Sequence, residues 1–338
     1  MTIEQHLVDR LENPQTFPLN EEELKRIKFE GIAAHTYKRL TSTKFRRTSL
    51  DHDAEAQLRK AIKINVDAQL PIKFTYPFGG YKTFRVPGFP YVDWAEFLAI
   101  SHLIRYVKFV VAGYNPGAEI YFSSDDVIIE KIDNYKRKDL DSYTESFQKL
   151  INEFSKYLPG NIKLSLKRVV PDIYEIEAYR KELELIVDSL RKQGISPEIR
   201  KTLKRGFDFN FRLDGRVDYS KINQAELDKI VEDLMYYSDG YLKLRKRRDF
   251  VRGEDKVVVF SNKIPNAVDI GSTTVSRAKF WVGTGVIEAV NGKIYDRILS
   301  PKQFDSTCAR AKPYKVNVID MPNFKEILVF NERLNFRA

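Results

Sequence analysis

The sequence contains one cysteine, Cys308, and only four histidines. A single thiol excludes an intrachain disulfide and a metal site built from several thiolates, and such scarcity is typical of a reducing compartment. The histidines form neither an HxH nor an HExxH group, so the sequence does not indicate a zinc enzyme. A GxSxG motif is also missing, which disfavours a serine hydrolase.

The chain also lacks a long apolar run. We find no stretch of about 18 uninterrupted apolar residues, and the N-terminus MTIEQHLVDRLENP has no apolar segment suited to a signal peptide. We therefore expect a cytoplasmic protein without a membrane partner. Its 338 residues, of which 43% are hydrophobic and 12% aromatic, are enough to bury a sizeable core.

Acidic residues are fewer than basic residues in this chain. The chain has 57 Lys and Arg residues against 47 Asp and Glu, which gives a net charge of +10. Residues 191–252 alone contain sixteen of the basic residues and ten of the acidic ones. A basic surface attracts anions, and charge alone leaves open whether these are phosphorylated metabolites, nucleic acid or acidic lipids.

Local patterns predict the elements of the fold. In the first 69 residues, Asn20 and Asp51 stand at the N-cap positions of segments with apolar residues at helical spacing. After that, short β-prone runs alternate with amphipathic segments up to residue 193, which predicts an α/β fold with a largely parallel sheet and flanking helices. The predicted strands include IKFTY, AEIYFSS, NIKLSLKRV, KVVVFSN, AKFWVGTGVIEA, YDRILS and EILVF.

The same patterns divide the chain into four parts. We expect an N-terminal helical region at 1–69, an α/β core at 70–193, a basic helical segment at 194–252 and a C-terminal β-rich part at 253–338 that completes the core. Between the first strand and the next helix, PFGGYK and RVPGFPY predict a long loop of the kind that lies over a binding site.

Two adjacent carboxylates, Asp125 and Asp126, follow the predicted strand AEIYFSS. Open α/β sheets bind ligands at the carboxyl ends of their strands, so this position favours a role in a site. The pair would suit Mg²⁺ bridging phosphates, or a general base. A turn in which Asp125 caps the next element and Asp126 faces solvent is the alternative.

Asp93 and Glu96 are a second pair of candidate catalytic carboxylates. They stand three residues apart at the predicted start of a helix, VDWAEF, which is also the spacing of a capping box. The two roles are compatible, because a helix N-terminus that faces a cleft also binds anions.

Donors for an anion are predicted in two segments. PFGGYK places two glycines ahead of Lys82 and Arg85, although without the spacing of a Walker loop, and a plain turn is the alternative. IGSTTVSRAKFWVGTG combines hydroxyl groups with basic residues, as many phosphate sites do, and an ordinary loop is again the alternative. The candidate ligands in this second segment are Thr273, Thr274, Arg277 and Lys279.

The basic run KLRKRR follows Tyr236, Tyr237 and Tyr241 and is a candidate nucleic-acid interface. Cations bind phosphates, and aromatic rings stack on bases. The same spacing also fits a helix whose tyrosines face the core and whose basic residues face water.

The order of the motifs between residues 70 and 150 resembles the isocyanide synthase family, also described as the pyoverdine/dityrosine biosynthesis family. A proline loop ends at Lys82, a helix start follows, and then come a YxPGA turn, a strand ending in serine and aspartate, and a helix with a central tyrosine. The matching residues after the loop are Asp93, Ala95, Glu96, Tyr114, Pro116, Gly117, Ala118, Ser124, Asp125 and Tyr143. Asp126 stands where the family usually has glycine, so the chain resembles a divergent member.

The resemblance implies a Rossmann-like enzyme that converts an amino-acid-like amine into an isonitrile, with the carbon taken from a phosphorylated sugar of the ribulose 5-phosphate type. It implies no cofactor and no metal. The implied ligands of phosphate, carboxylate or substrate are Lys82, Arg85, Ser124 and Lys279, and the implied proton carriers are Asp93, Glu96 and Asp125.

Two other functions stay open at this point. Asp125 and Asp126 favour a transferase that uses Mg²⁺ and acts on nucleotides or phosphosugars. Residues 236–252 favour a nucleic-acid-binding protein.

Overall fold

Short runs of β-branched and aromatic residues form a parallel sheet, as the alternating pattern predicts. The computed structural model describes residues 1–124, 126, 130, 135–198, 200–201, 223–247, 253–321 and 323–334. The strands of this sheet are β1 (Ile72–Phe78), β2 (Ala118–Ser124), β3 (Ile162–Arg168), β4 (Lys256–Phe260) and β5 (Val268–Asp269). They follow the order β3-β2-β1-β4-β5, and neighbouring strands are parallel. The predicted α/β, Rossmann-like class is thereby confirmed, whereas the division into four domains stays a prediction.

Amphipathic segments form the helices around the sheet. These are α1 (Ile3–Glu12), α2 (Glu21–Glu30), α3 (Ile32–Leu40), α4 (His52–Asp67), α5 (Trp94–Val110), α6 (Arg137–Ser155), α7 (Ile176–Gln193), α8 (Gln224–Arg247) and α9 (Pro301–Cys308). The Asn20 and Asp51 side chains cap α2 and α4 as predicted. The segment that Asn20 caps is divided into two helices, because Gly31 adopts a φ of +86° and separates α2 from α3. None of the described helices is both long and apolar enough to cross a bilayer.

A second sheet is formed by the C-terminal part of the chain. Its strands are β6 (Thr284–Val290), β7 (Lys293–Leu299), β8 (Tyr314–Met321) and β9 (Phe324–Phe330), in the order β7-β6-β9-β8. The strand predicted at AKFWVGTGVIEA begins only at Thr284, because Phe280–Val282 forms a 3-10 turn. Strand β8 is absent from the predicted strands, since most of its side chains are exposed or half-buried and give a weak apolar alternation.

Helix α5 packs against both sheets and is apolar on nearly all sides. Its Tyr106 ring lies against Phe74 of β1 at a centroid distance of 6.5 Å, and the helix also contacts β6 and β7. Trp94, its first residue, donates from Nε1 to the carbonyl of Glu326 in β9 at 2.8 Å. The N-terminus of α5 is therefore fixed relative to both sheets.

The strand order defines where a ligand site is expected. From β1 the chain runs outward through β2 to β3, and it then returns to place β4 and β5 on the other side of β1. Open α/β sheets bind ligands at the carboxyl ends of the strands, where this order reverses. In this protein that point lies between the loop after Phe78 and the residue that follows β4, Ser261.

A buried ion pair ties α1 to the second sheet. The carboxylate of Asp296 in β7 lies 2.6 Å from His6 Nε2 and accepts a hydrogen bond from Arg10 Nε at 2.7 Å. Complete burial raises the pKa of Asp296, but the hydrogen bond with His6 and the charge of Arg10 outweigh burial and lower this pKa to about 2.

We predict that Asp296→Asn lowers the free energy of unfolding at neutral pH by ~2–4 kcal/mol, because His6 and Arg10 lose a buried anionic partner. A carboxyl group with an ordinary pKa of 3.8 and a folded pKa of about 2 stabilises the folded state above pH 3.8. This contribution of ~2 kcal/mol disappears as the pH falls toward the folded pKa. Urea unfolding over a series of pH values measures the effect.

The difference between wild type and Asp296→Asn should therefore be constant at neutral and mildly acidic pH and shrink below about pH 4. Asp305→Asn, at an exposed position of α9, is the matched control and should leave the free energy of unfolding nearly unchanged. A difference for Asp296→Asn that grows on acidification would contradict the prediction.

Candidate functional site

The candidate site is built around the loop that leaves β1. Gly80 in this loop adopts a φ of +71°, and a Cβ there would lie 2.7 Å from Ser124 Cβ and 3.1 Å from Asp126 Cβ. Glycine therefore lets the loop lie across the carboxyl end of β2. Arg85 lies further along the same loop and is half-buried.

Lys82 lies two residues after Gly80, and its side chain is completely buried. The ammonium group contacts Glu96 Oε2 at 2.8 Å and Asp93 Oδ1 at 2.9 Å, at the start of α5. It also donates to the backbone carbonyls of Phe280 at 3.2 Å and Gly283 at 3.0 Å. The three N–H groups of Lys82 are thus engaged by acceptors from four residues, and a substrate anion would have to displace one of them.

Glu96 is the second fully buried member of this cluster. Its carboxylate accepts hydrogen bonds from Lys82, from the Tyr143 hydroxyl at 3.0 Å and from the Asp93 backbone N–H at 2.9 Å. Complete burial raises the pKa of Glu96, and the charge of Lys82 opposes this rise. Burial also lowers the pKa of Lys82, but the charges of the two carboxylates outweigh this effect and hold it above its ordinary value.

Asp93 connects the cluster to the surface. Its side chain is 14% exposed, whereas those of Lys82 and Glu96 are not exposed at all. Oδ1 of Asp93 accepts a hydrogen bond from the Ala95 N–H at 2.7 Å, and the predicted capping box of α5 is confirmed. Asp93 and Glu96 therefore both cap helix α5 and form the charged cluster with Lys82.

The turn Phe280–Val282 is held by Lys82 and carries further side chains of the site. Lys279 Nζ lies 5.4 Å from the centroid of the Trp281 ring and 5.9 Å from that of Phe260, the last residue of β4. Lys279 is half-buried, and burial lowers its pKa. In the part of the chain that the structure describes, no carboxylate forms an ion pair with Lys279.

Several buried hydroxyl groups at this edge of the sheet have no hydrogen-bond partner among the described residues. They belong to Tyr76, Ser123, Ser124, Ser261 and Ser272. Tyr76 and Ser261 are neighbours, but their hydroxyls do not meet the geometry of a hydrogen bond. Because buried hydroxyls are normally paired in folded proteins, these groups are suited to bind polar atoms of a substrate.

Asp126 belongs to a different cluster. Its buried carboxylate contacts the guanidinium groups of Arg137 at 2.7 Å and Arg168 at 2.6 Å, and Arg168 is the last residue of β3. Asp125 lies outside the described residues. Within those residues no group of three or more His, Cys, Asp or Glu side chains is placed to hold a metal ion. The contacts of Asp126 are those of a salt bridge rather than of a metal ligand.

The hydroxyl-rich segment after β5 makes contacts that stabilise its own loop. Thr273 Oγ1 donates to a backbone carbonyl of β7 at 2.8 Å, and it accepts from the backbone N–H of Ser276 at 3.1 Å. Arg277 forms an ion pair with Asp269 at 2.8 Å, and the side chain of Thr274 is exposed. Of the four predicted anion ligands of this segment, Thr273 and Arg277 are engaged in these contacts and Thr274 is exposed. The fourth, Lys279, directly precedes the turn that Lys82 holds.

Sequence reasoning missed several side chains of the site. They are Tyr76, Ser261, Trp281, Arg137 and Arg168. Ser261 and Arg168 carry a usable signal, because each stands at the end of a predicted strand and the carboxyl ends of parallel strands meet at one edge of the sheet. Trp281 and Arg137 carry no such signal. Trp281 is brought to the site by contact with the loop after β1, and Arg137 by its ion pair with Asp126.

The tyrosines of the basic segment face a neighbouring helix. Tyr237 is buried, and its hydroxyl donates to Glu184 in α7 at 2.5 Å. Tyr236 and Tyr241 pack against the same apolar cluster between α7 and α8. Tyr237 is thus a core residue of this helix pair, whereas Tyr236 and Tyr241 are half-buried at its edge. The side chains at positions 245–248 lie outside the described residues.

Among solved structures, the chain shares its fold with the PvcA protein from Pseudomonas aeruginosa. The crystal structure of that protein matches with a TM-score of 0.58 and 18% sequence identity, over 89% of this chain and 100% of the other. No family model matches the sequence, and no curated protein matches it either. At this level of identity the similarity shows a common fold.

We predict that Lys82→Met lowers the free energy of unfolding by ~3–5 kcal/mol, because Asp93 and Glu96 lose the cation between them. Adding Glu96→Gln should restore part of this loss, since it removes one of the two uncompensated carboxylates. Urea unfolding of the single and double variants measures both effects in a double-mutant cycle.

Tyr143→Phe is the matched control, because it removes one hydrogen bond to Glu96 and keeps the ion pair. It should lower the free energy of unfolding by ~1 kcal/mol. If Lys82→Met were no more destabilising than Tyr143→Phe, the buried cation would not hold the loop, α5 and the turn together.

Proposed function

We propose that this protein is an enzyme that resembles isocyanide synthases. It acts in the cytoplasm on an amino-acid-like amine, such as tyrosine or tryptophan, and takes a carbon atom from a phosphorylated sugar of the ribulose 5-phosphate type. Its reaction forms a bond between that carbon and the nitrogen of the amine.

Support comes from the contacts among the residues that carry the family resemblance. Lys82 of the proline loop contacts Asp93 and Glu96 of the helix start, and Tyr143 of the following helix donates to Glu96. Gly80 of the same loop packs on Ser124 at the strand end. Motifs that matched by chance would have no reason to converge at the sheet edge where α/β enzymes bind their substrates.

The remaining motif of the series supports the scaffold at the opposite end of the strands. The Tyr114 hydroxyl donates to the carbonyl of Leu70, just before β1, at 2.7 Å. Gly117 precedes β2 with a φ of +73°. We therefore assign this turn to folding and leave it out of the chemistry.

The chemical roles follow from the contacts. The backbone N–H groups of the PFGG turn and the hydroxyls without a partner among the described residues are suited to the phosphate and hydroxyl groups of a sugar phosphate. Asp93 and Glu96 are suited to proton transfer, because the side chain of the first reaches the surface and burial raises the pKa of the second. Formation of an imine from the amine and the sugar, and later eliminations, both require such transfer.

Turnover of defined substrates tests the proposal. Purified protein is incubated with tyrosine or tryptophan and ribulose 5-phosphate, and mass spectrometry follows both substrates. We expect the sugar phosphate to be consumed and the amine to gain a carbon atom and lose its two nitrogen-bound hydrogens. Absence of turnover with every amine tried would rule out the isonitrile reaction.

We further predict that Ser124→Ala and Ser261→Ala each lower turnover about tenfold, because a hydrogen bond to substrate is lost. Both hydroxyls are unpaired in the described chain, so the free energy of unfolding should stay within ~0.5 kcal/mol of wild type. The matched control is Thr307→Val, which removes a buried, unpaired hydroxyl on α9. Equal turnover in all three variants would contradict the assigned role of the serines.

A further inference from the structure

Lys279 combines partial burial with the lack of an anionic partner among the described residues. Two other lysines with restricted exposure have carboxylates: Lys82 contacts Asp93 and Glu96, and Lys73 contacts Asp255 at 2.6 Å. No described carboxylate forms an ion pair with Lys279, and burial is the cause that lowers its pKa. A lysine in such surroundings holds more free amine near neutral pH than an exposed lysine does.

Aromatic side chains form the apolar wall next to this amine. The rings of Trp281 and Phe260 lie 5.4 and 5.9 Å from Nζ, near the limit of about 6 Å at which a ring attracts a cation. Beyond them, the Phe260 ring is 5.5 Å from that of Tyr76, whose hydroxyl is one of the unpaired groups. The amine therefore lies beside an apolar wall, and this wall continues through Phe260 to the ring of Tyr76.

The backbone that carries Lys279 is fixed. Lys82 Nζ donates to the carbonyls of Phe280 and Gly283, and the Thr83 N–H donates to the carbonyl of Trp281 at 2.8 Å. The loop after β1 thus clamps the turn that follows Lys279. A nucleophile needs a defined position relative to the substrate, and this clamp supplies it.

We propose that Lys279 is a nucleophile that forms a Schiff base with the carbonyl group of a ketone or aldehyde substrate. The uncharged amine attacks the carbonyl carbon, and a carbon–nitrogen double bond replaces the carbon–oxygen double bond. The oxygen leaves as water with the two hydrogens of the amine. Desolvated lysines with depressed basicity are the usual choice for this chemistry.

The identity of the carbonyl compound rests on the proposed function, in which it is the ketose phosphate. The amine substrate then attacks the Schiff base carbon, a double bond forms to the substrate nitrogen, and the bond to Lys279 breaks. The two hydrogens of the substrate amine pass to Lys279, which is released as the free amine. Lys279 thereby activates the sugar for the condensation that the proposed reaction requires.

Reductive trapping tests the inference. The full-length protein is incubated with ribulose 5-phosphate, or separately with propanal, in the presence of sodium cyanoborohydride, and peptide mass spectrometry locates the modified lysines. Lys293, an exposed residue at the start of β7, is the internal reference. We expect Lys279 to react about tenfold faster than Lys293 at neutral pH, because burial lowers the pKa of Lys279 and so raises its fraction of free amine.

Modification of Lys279 no faster than that of Lys293 in wild-type protein would overturn the proposal. Lys279→Arg keeps the positive charge but cannot form the Schiff base, so we expect it to abolish both trapping at this site and turnover. Full turnover in Lys279→Arg would make Lys279 an anion ligand only and would also overturn the proposal. Lys293→Met should leave turnover unchanged.

The two proposals fail in different ways. If propanal is trapped on Lys279 while ribulose 5-phosphate is neither trapped nor consumed with any amine, the nucleophile is supported and the proposed function is wrong. If the isonitrile forms while Lys279 resists trapping, the proposed function is supported and the nucleophile is wrong.

Discussion

The buried ammonium group of Lys82 is the contact on which the rest of the site depends. It joins the loop after β1, the first turn of α5 and the turn before β6. Removing a charge from water carries a large free-energy cost, which is offset only when every acceptor is in place. The carboxylates of Asp93 and Glu96 and two backbone carbonyls meet this requirement together. Displacement of any one of the three segments would therefore leave a charge or a polar group uncompensated in the interior.

Two lysines of the site have opposite environments and, in consequence, opposite roles. Lys82 is surrounded by oxygen atoms that stabilise its charge, so it acts as a structural cation. Lys279 is partly removed from water beside aromatic rings, no carboxylate of the described residues pairs with it, and burial lowers its pKa. The first lysine fixes the backbone that carries the second. The buried cluster around Lys82 thus positions the amine of Lys279, which must be uncharged for the proposed attack on a carbonyl carbon.

The common fold with PvcA accounts for where a site can form, but not for what the site does. The order of the parallel sheet reverses between β1 and β4, and the carboxyl ends of strands at such a point are where open α/β sheets bind their ligands. The groups to which we assign the proposed chemistry are the hydroxyls that have no partner among the described residues, the buried carboxyl group of Glu96 and the amine of Lys279. Asp126, which the sequence places at the same edge, is neutralised there by Arg137 and Arg168.

Patterns that act over a few residues are determined by the sequence itself: the caps at Asn20 and Asp93, the alternation within the parallel strands and the placement of motifs at strand ends. These depend on backbone hydrogen bonds and side-chain periodicity, which neighbouring residues decide. The tertiary structure alone decided that Phe280–Val282 forms a turn instead of a strand, and that the ammonium group of Lys82 is completely buried. Pairing and desolvation of charges depend on groups that are remote in sequence, and only the folded chain brings them within reach.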